Sequence, residues 1–164
     1  MPEDKKNELK QKMAQARSEL KTLLASLTDA QWHTPVISEQ NTWTALDIAA
    51  HLVENERGMS IHVHKIRKGQ ETVPADFDLN QWNAGLIGRI GQPTPAEVLE
   101  TMDQTRARTL EGLASIRDEE WELTGRHPAR GVISVEQYYE TMAGHDMWHT
   151  NDIKKGLGLS ERIS

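Results

Sequence analysis

Two histidines four residues apart, His145 and His149, stand in the run Gly144-His145-Asp146-Met147-Trp148-His149. Within a helix that spacing is about one turn, so both imidazoles leave the same face and can share one metal ion. The plainer reading is a pair of solvated imidazoles. The motif is not that of the zincins, because Asp146 rather than Glu follows the first histidine. A third histidine, His51, lies in Ala49-Ala50-His51-Leu52, where the plain reading is a buried, hydrogen-bonded side chain. The chain has no cysteine. Thiolate ligands, disulfides and a cysteine nucleophile are therefore excluded, and any thiol chemistry must borrow its thiol from a small molecule.

Helical segments must position these residues. Apolar Leu9, Met13, Ala16, Leu20, Leu23, Leu24 and Leu27 recur at three and four, which predicts a helix over about 3–27 with one core-facing stripe. A second helix runs over about 44–68, with Thr44 as N-cap, Asp47 three residues on and Gly69 as its stop. Thr94-Pro95-Ala96-Glu97 opens a third over about 95–116. Ser134 and Gln137 open a fourth over about 135–155, and Lys154, Lys155 and Gly156 close it. A shorter helix over 79–90 is weakened by Gly85 and Gly88. Segments 69–78 and 122–133 read as loops. No alternating strand stands out, apart from a few residues near Val36.

An internal repeat links the helices. Leu24-Ala25-Ser26-Leu27-Thr28-Asp29-Ala30-Gln31-Trp32 matches Leu113-Ala114-Ser115-Ile116-Arg117-Asp118-Glu119-Glu120-Trp121. Helix ends are often rich in such residues, but the shared Trp at one offset favours a true repeat. The expected fold is an all-α four-helix bundle of two helix-loop-helix halves related by a pseudo-two-fold, in a single domain over 1–164. If Thr44 and Ser134 are equivalent helix starts, His51 lies 7 residues into its helix and His145 lies 11 into its own. The depths differ by four, about one turn, so both histidines face the same relative way. The pseudo-two-fold then brings His51, His145 and His149 together as a metal site. Their nitrogens should meet about 2.0–2.2 Å from one ion, each imidazole donating from its other nitrogen to a neighbouring acceptor.

On Trp43-Thr44-Ala45-Leu46-Asp47-Ile48-Ala49-Ala50-His51-Leu52 and Gly144-His145-Asp146-Met147-Trp148-His149, the chain resembles the DinB-like superfamily of metal-binding four-helix bundles. That family carries a histidine after a Trp-Ser/Thr helix start and an H-x-x-x-H pair in its last long helix. The resemblance covers nearly the whole chain in helix order and spacing. It implies a divalent transition metal at His51, His145 and His149, with zinc or nickel first and iron, manganese or cobalt as alternatives. It also implies thiol-dependent isomerase or S-transferase activity toward a small electrophile, with a low-molecular-weight thiol as cosubstrate, and a homodimer, which the apolar stripe of the first helix could support. A metal-dependent hydrolase and a non-enzymatic, stress-related metal-binding module are the alternatives.

The remaining candidates are weaker. Asp47 and Asn55, one turn either side of His51, are possible partners of its ring, or plain capping and surface residues. His62 could line a pocket mouth or be exposed; His64 points off that face, and His33 and His127 fall in loops. Trp82 and Asn83 could cover the site; Tyr138 and Trp148 read as packing residues. Arg126 and Arg130 could hold an anionic substrate or be ordinary solvated arginines. The formal charge of −6 argues against nucleic-acid binding, which needs a concentrated basic face. The charged N-terminal stretch has no signal-peptide core and no apolar run is of membrane-spanning length, so a cytoplasmic location is expected.

Overall fold

The computed structural model describes residues 2–159. Its long helices are α1 (Pro2–Ser26), α3 (Ala45–Arg67), α6 (Pro95–Ala114) and α7 (Val135–Gly156). Capping boxes fix three of their starts: Thr44 with Asp47, Thr94 with Glu97 and Ser134 with Gln137 each exchange side-chain and backbone hydrogen bonds. Asp47 is thereby committed to the cap and not to His51. The expected helix over 79–90 is two short ones, α4 (Leu79–Ala84) and α5 (Leu86–Ile90), broken at Gly85.

The four long helices form a bundle, with α1 against α7 and α6, and α3 against α6 and α7. The two long helices of each half, α1 with α3 and α6 with α7, therefore sit on diagonals, and the connection within each half must cross between opposite corners. Each connection contains a short helical turn, α2 (Asp29–Trp32) or the 3₁₀ turn Asp118–Glu120, followed by a β-hairpin. These hairpins correct the sequence reading. Strands β1 (Val36–Ser38) and β2 (Asn41–Trp43) pair antiparallel, and β3 (Thr124–His127) and β4 (Gly131–Ser134) do the same inside the segment read as a loop. Three or four residues are too few for alternation to show. The first turn also breaks the usual code, because Glu39 and Gln40 both take positive φ, 49° and 65°. A two-residue turn of this kind normally draws Asn-Gly.

The repeat is real and extends beyond the matched words. An offset of 89 relates α1 to α6, and one of 90 relates α3 to α7. Leu24 and Trp32 superpose in role on Leu113 and Trp121, Met13 on Met102, Ala45 on Val135 and Ile48 on Tyr138; all are buried. The core comes as two clusters, and the offsets exchange them. Leu24, Trp32, Ile48 and Met102 belong to one; Leu113, Trp121, Tyr138 and Met13 to the other. The stripe on α1 packs into this core.

Where all four helices meet lies a buried ionic knot. Arg17 of α1 donates to Asp146 Oδ2 at 2.9 Å and Glu56 Oε1 at 2.7 Å. Arg106 of α6 donates to Glu56 Oε2 at 3.0 Å and Asp146 Oδ2 at 3.2 Å. Thr109 adds a 2.6 Å hydrogen bond to Glu56. The same offsets relate Arg17 to Arg106 and Glu56 to Asp146, so the knot is two-fold and electrically neutral. Arg17, Glu56 and Asp146 are each under a tenth exposed. Burial pushes the Glu56 carboxyl up, but Arg106 and Arg17 outweigh it and hold its pKa below the usual value. Removing one partner strands an opposite charge. Glu56→Leu is expected to cost about 3–5 kcal/mol by urea denaturation, whereas an exposed-residue control such as Lys10→Ala should change stability by no more than about 0.5 kcal/mol. A loss for Glu56→Leu as small as the control's would show that the knot does not hold the bundle.

Candidate metal centre

His51 projects from α3, and His145 and His149 from successive turns of α7; their rings lie together. The His51 centroid is 5.1 Å from that of His145 and 5.0 Å from that of His149, and the α7 pair is 4.6 Å apart. His145 Nε2 and His149 Nε2 approach to 3.0 Å. Sequence reasoning missed a fourth group, the Glu39 carboxylate. Its Oε2 lies 2.7 Å from His51 Nε2 and 3.7 Å from His149 Nε2, and its Oε1 lies 3.6 Å from His145 Nε2. The β1–β2 turn aims it there. Once that hairpin is overlooked, no spacing rule places Glu39 near the helices; the Val36-to-Trp43 run ahead of the Thr44 cap was the available signal.

The surroundings orient the rings. Ser38 donates its hydroxyl proton to Asp152 at 2.7 Å, so its oxygen accepts from His149 Nδ1 at 3.0 Å. This leaves the lone pair of His149 Nε2 facing the cluster, the arrangement expected behind a ligating histidine. Trp43 of β2 packs on His51 at 4.7 Å between ring centroids. Asn55 anchors to the His51 carbonyl at 3.1 Å, with its amide nitrogen 2.9 and 3.1 Å from the two ring nitrogens. The expected outward acceptor is thus in place for His149; for His51 the neighbour is the Asn55 amide. Asp146, between the two α7 histidines in sequence, turns to the opposite side and locks α7 into the ionic knot.

The donor set fits a divalent transition ion. The four ligand atoms all lie within 4.8 Å of one another, close to the span of two metal–ligand bonds of about 2.0–2.2 Å. Glu39 Oε2 is buried without an aligned hydrogen bond despite its short contact with His51, and such an orphan is costly unless a cation satisfies it. His51 is 1% and His149 0% exposed. Burial, then the neighbouring histidines, pushes His149 down to about 3. Burial also lowers His51, against the pull of Glu39. Burial would raise Glu39, but its contacts with His145 and His51 prevail and hold it well below the carboxylate range. Neutral imidazoles and an ionised carboxylate are the protonation states a metal requires.

The cluster opens onto a cavity of about 840 Å³ lined by Glu39, His51 and His145 among others. Of the weaker candidates, Asn55, His62, Trp82, Asn83, His127, Arg130 and Trp148 line it as well. Trp148 is 69% exposed, which corrects its reading as a packing residue; Tyr138 is buried as expected. His33 and His64 are exposed, away from the cavity. Arg126 is tied to the Val73 carbonyl instead.

A four-helix bundle with a histidine-rich, carboxylate-completed cluster between two of its helices defines the class. The chain belongs to the DinB superfamily, whose profile it matches over residues 12–153. Solved structures share the fold at low identity. A four-helix bundle protein, TT2238, is 20% identical, with a TM-score of 0.65 over 92% of this chain and 98% of its own. YfiT from Bacillus subtilis, described as a probable metal-dependent hydrolase with an unusual four-helix bundle topology, is 19% identical, with a TM-score of 0.70 over 94% and 89%. A mycothiol-dependent maleylpyruvate isomerase is 16% identical, with a TM-score of 0.69 over 88% of this chain and 60% of its own. Colibactin self-resistance protein ClbS, solved with double-stranded DNA, is 14% identical, with a TM-score of 0.69 over 92% and 94%. No curated protein matches the sequence. No helix among the described residues is long and apolar enough to cross a membrane.

The shifts at His149 and His51 set the acid behaviour of the metal-free protein. An unfolded chain takes up a proton at His149 near the ordinary value of 6.5, while the folded one resists until about 3. Between these values the unfolded state binds more protons, so stability falls as pH drops through that window. Lowered Glu39 acts in the same direction. Melting temperature should decline from about pH 6.5 downward, and His149→Asn should flatten the slope; a profile level down to about pH 4.5 would contradict neutral burial of these rings.

Proposed function

We propose that this protein binds one divalent transition ion through His51, His145 and His149, with Glu39 as a fourth donor. We propose further that it uses the ion to activate a small-molecule thiol against a small electrophile held in the cavity, as a thiol-dependent S-transferase or isomerase. The observation that carries the reading is the convergence of four donors at the wall of a large cavity. Three imidazoles and one carboxylate leave positions for a ligand on an ion that takes five or six donors. The absence of cysteine means the thiol must come from outside, and a cavity of about 840 Å³ is of the size that holds a drug-sized ligand. The isomerase neighbour, described as mycothiol-dependent, supports a thiol partner.

An ion at this site supplies Lewis acidity, lowering the pKa of a bound thiol or water and polarising a carbonyl. The chain's residues do the rest. Ser38 and Asp152 keep the proton of His149 on Nδ1, away from the cluster. Trp43 closes the hairpin side of His51 to water. Glu39, anionic at the cavity wall, can take a proton from an incoming nucleophile only where it is not itself holding the ion. Glu39 also favours a second reading, a hydrolase in which it serves as general base for water.

Protein purified without a histidine tag should carry about one metal equivalent per chain, the stoichiometry of a single such cluster. Elemental analysis checks this. His145→Ala should weaken binding by at least roughly ten- to hundredfold while circular dichroism stays helical. In cobalt-substituted protein, a small thiol should shift the visible spectrum saturably. Turnover without thiol would favour the hydrolase, and full activity after metal stripping would sink both.

A further inference from the structure

The offsets that relate the two halves also relate the metal cluster to a second place in the same cavity. Glu39 and Gln40 in the β1–β2 turn correspond to Ala129 and Arg130 in the β3–β4 turn, and His51 corresponds to Thr141. In place of the contact between Glu39 and His51, the second half has one from the next turn position, in which Arg130 Nη1 donates to Thr141 Oγ1. His145 corresponds to Asn55. Thus α3 and α7 each present one side of two related sites, and Arg130, Thr141, Asn55 and His127 all line the cavity that reaches Glu39 and His145. Where one half delivers a carboxylate, the other delivers a guanidinium.

His127 adds a second donor. Its Nδ1 accepts from Ala129 N at 3.0 Å and Arg130 N at 3.1 Å, so the ring proton sits on Nε2. Among the described residues no acceptor is paired with that N–H. Burial, then His62 and Arg130, pushes the ring down to about 4, so it presents a neutral N–H. Of the carboxylates that share the cavity, Glu54 is held by Arg89 at 2.8 Å through both oxygens; Glu140 is exposed at the rim. The cavity walls also include the apolar Phe77, Trp82, Met147 and Val73.

We infer that Arg130 and His127 form an oxyanion subsite, the pseudo-symmetric counterpart of the metal cluster. It selects ligands with a carboxylate seated one turn of α7 from His145 and an apolar body against the remaining walls. A guanidinium with a fixed neighbouring N–H is a carboxylate-binding pair, and the apolar walls of the same cavity call for an aliphatic or aromatic body. That this carboxylate belongs to a substrate rests on the proposed metal function; the subsite itself does not.

The test is isothermal titration with 4-phenylbutyrate and with 4-phenylbutanamide, which lacks the charge, on metal-loaded and chelator-stripped protein. The carboxylate should bind in both states, and the amide at least tenfold more weakly. Arg130→Gln should weaken the carboxylate at least tenfold. His127→Asn, which keeps an acceptor for the turn amides but loses the Nε2 proton, should weaken it as well. Binding that vanishes with the metal would place the carboxylate on the ion and overturn the inference. So would equal affinity for the amide, indifference to both variants, or no binding at millimolar concentration. Metal content, measured separately, can fail without affecting these outcomes.

Discussion

The ionic knot of Arg17, Glu56, Arg106 and Asp146 is the constraint from which the rest of the structure follows. Each long helix contributes one charge, and each charge is compensated by residues from other helices. A register slip of one turn in any helix would bury an ion without its partner, at a cost above that of a repacked leucine. Two apolar clusters, exchanged by the repeat, enclose the knot. Hydrophobic burial supplies the stability, but apolar contacts alone tolerate sliding; the knot selects one alignment. Asp146 transmits that alignment to the histidine cluster, because it lies between His145 and His149 on the same helix.

How far the sequence disclosed this depended on whether a feature was local or not. Helix boundaries were legible because capping boxes and apolar periodicity are local physics. The three histidines were legible because helical spacing and a repeat convert positions into directions. The hairpins were not, since strands of three or four residues carry no period. Glu39 was lost with them. The ionic knot was equally hidden: nothing local marks Arg17 and Arg106 until the offset of 89 aligns them, and Glu56 and Asp146 align only at 90. One residue separates the two offsets, because the connection between the long helices is one residue longer in the second half.

Pseudo-symmetry also explains why the site has a direction. A perfectly repeated bundle would place identical groups at both ends of the α3–α7 face. Here the repeat keeps the core, the caps and the knot, while the cavity positions diverge: His51 against Thr141, Asn55 against His145, and a Glu-Gln turn against one carrying Arg130. The scaffold is symmetric where alignment is at stake and asymmetric where chemistry is. The strained Glu39–Gln40 turn belongs to the second kind. Two residues with side chains at positive φ are unfavourable for the hairpin itself, and they persist where the surrounding structure imposes them.

The complete burial of His149, behind His51 and with Ser38 at its back, bears on traffic in and out of the cluster. His145 and Glu39 are its more accessible members, and they face the cavity. An arriving ion would meet them first and reach His149 last, shedding its hydration stepwise on the way in. Departure retraces the same route. A ligand filling the cavity would therefore stand in the doorway, and an ion behind it could exchange with solvent only after the ligand had left.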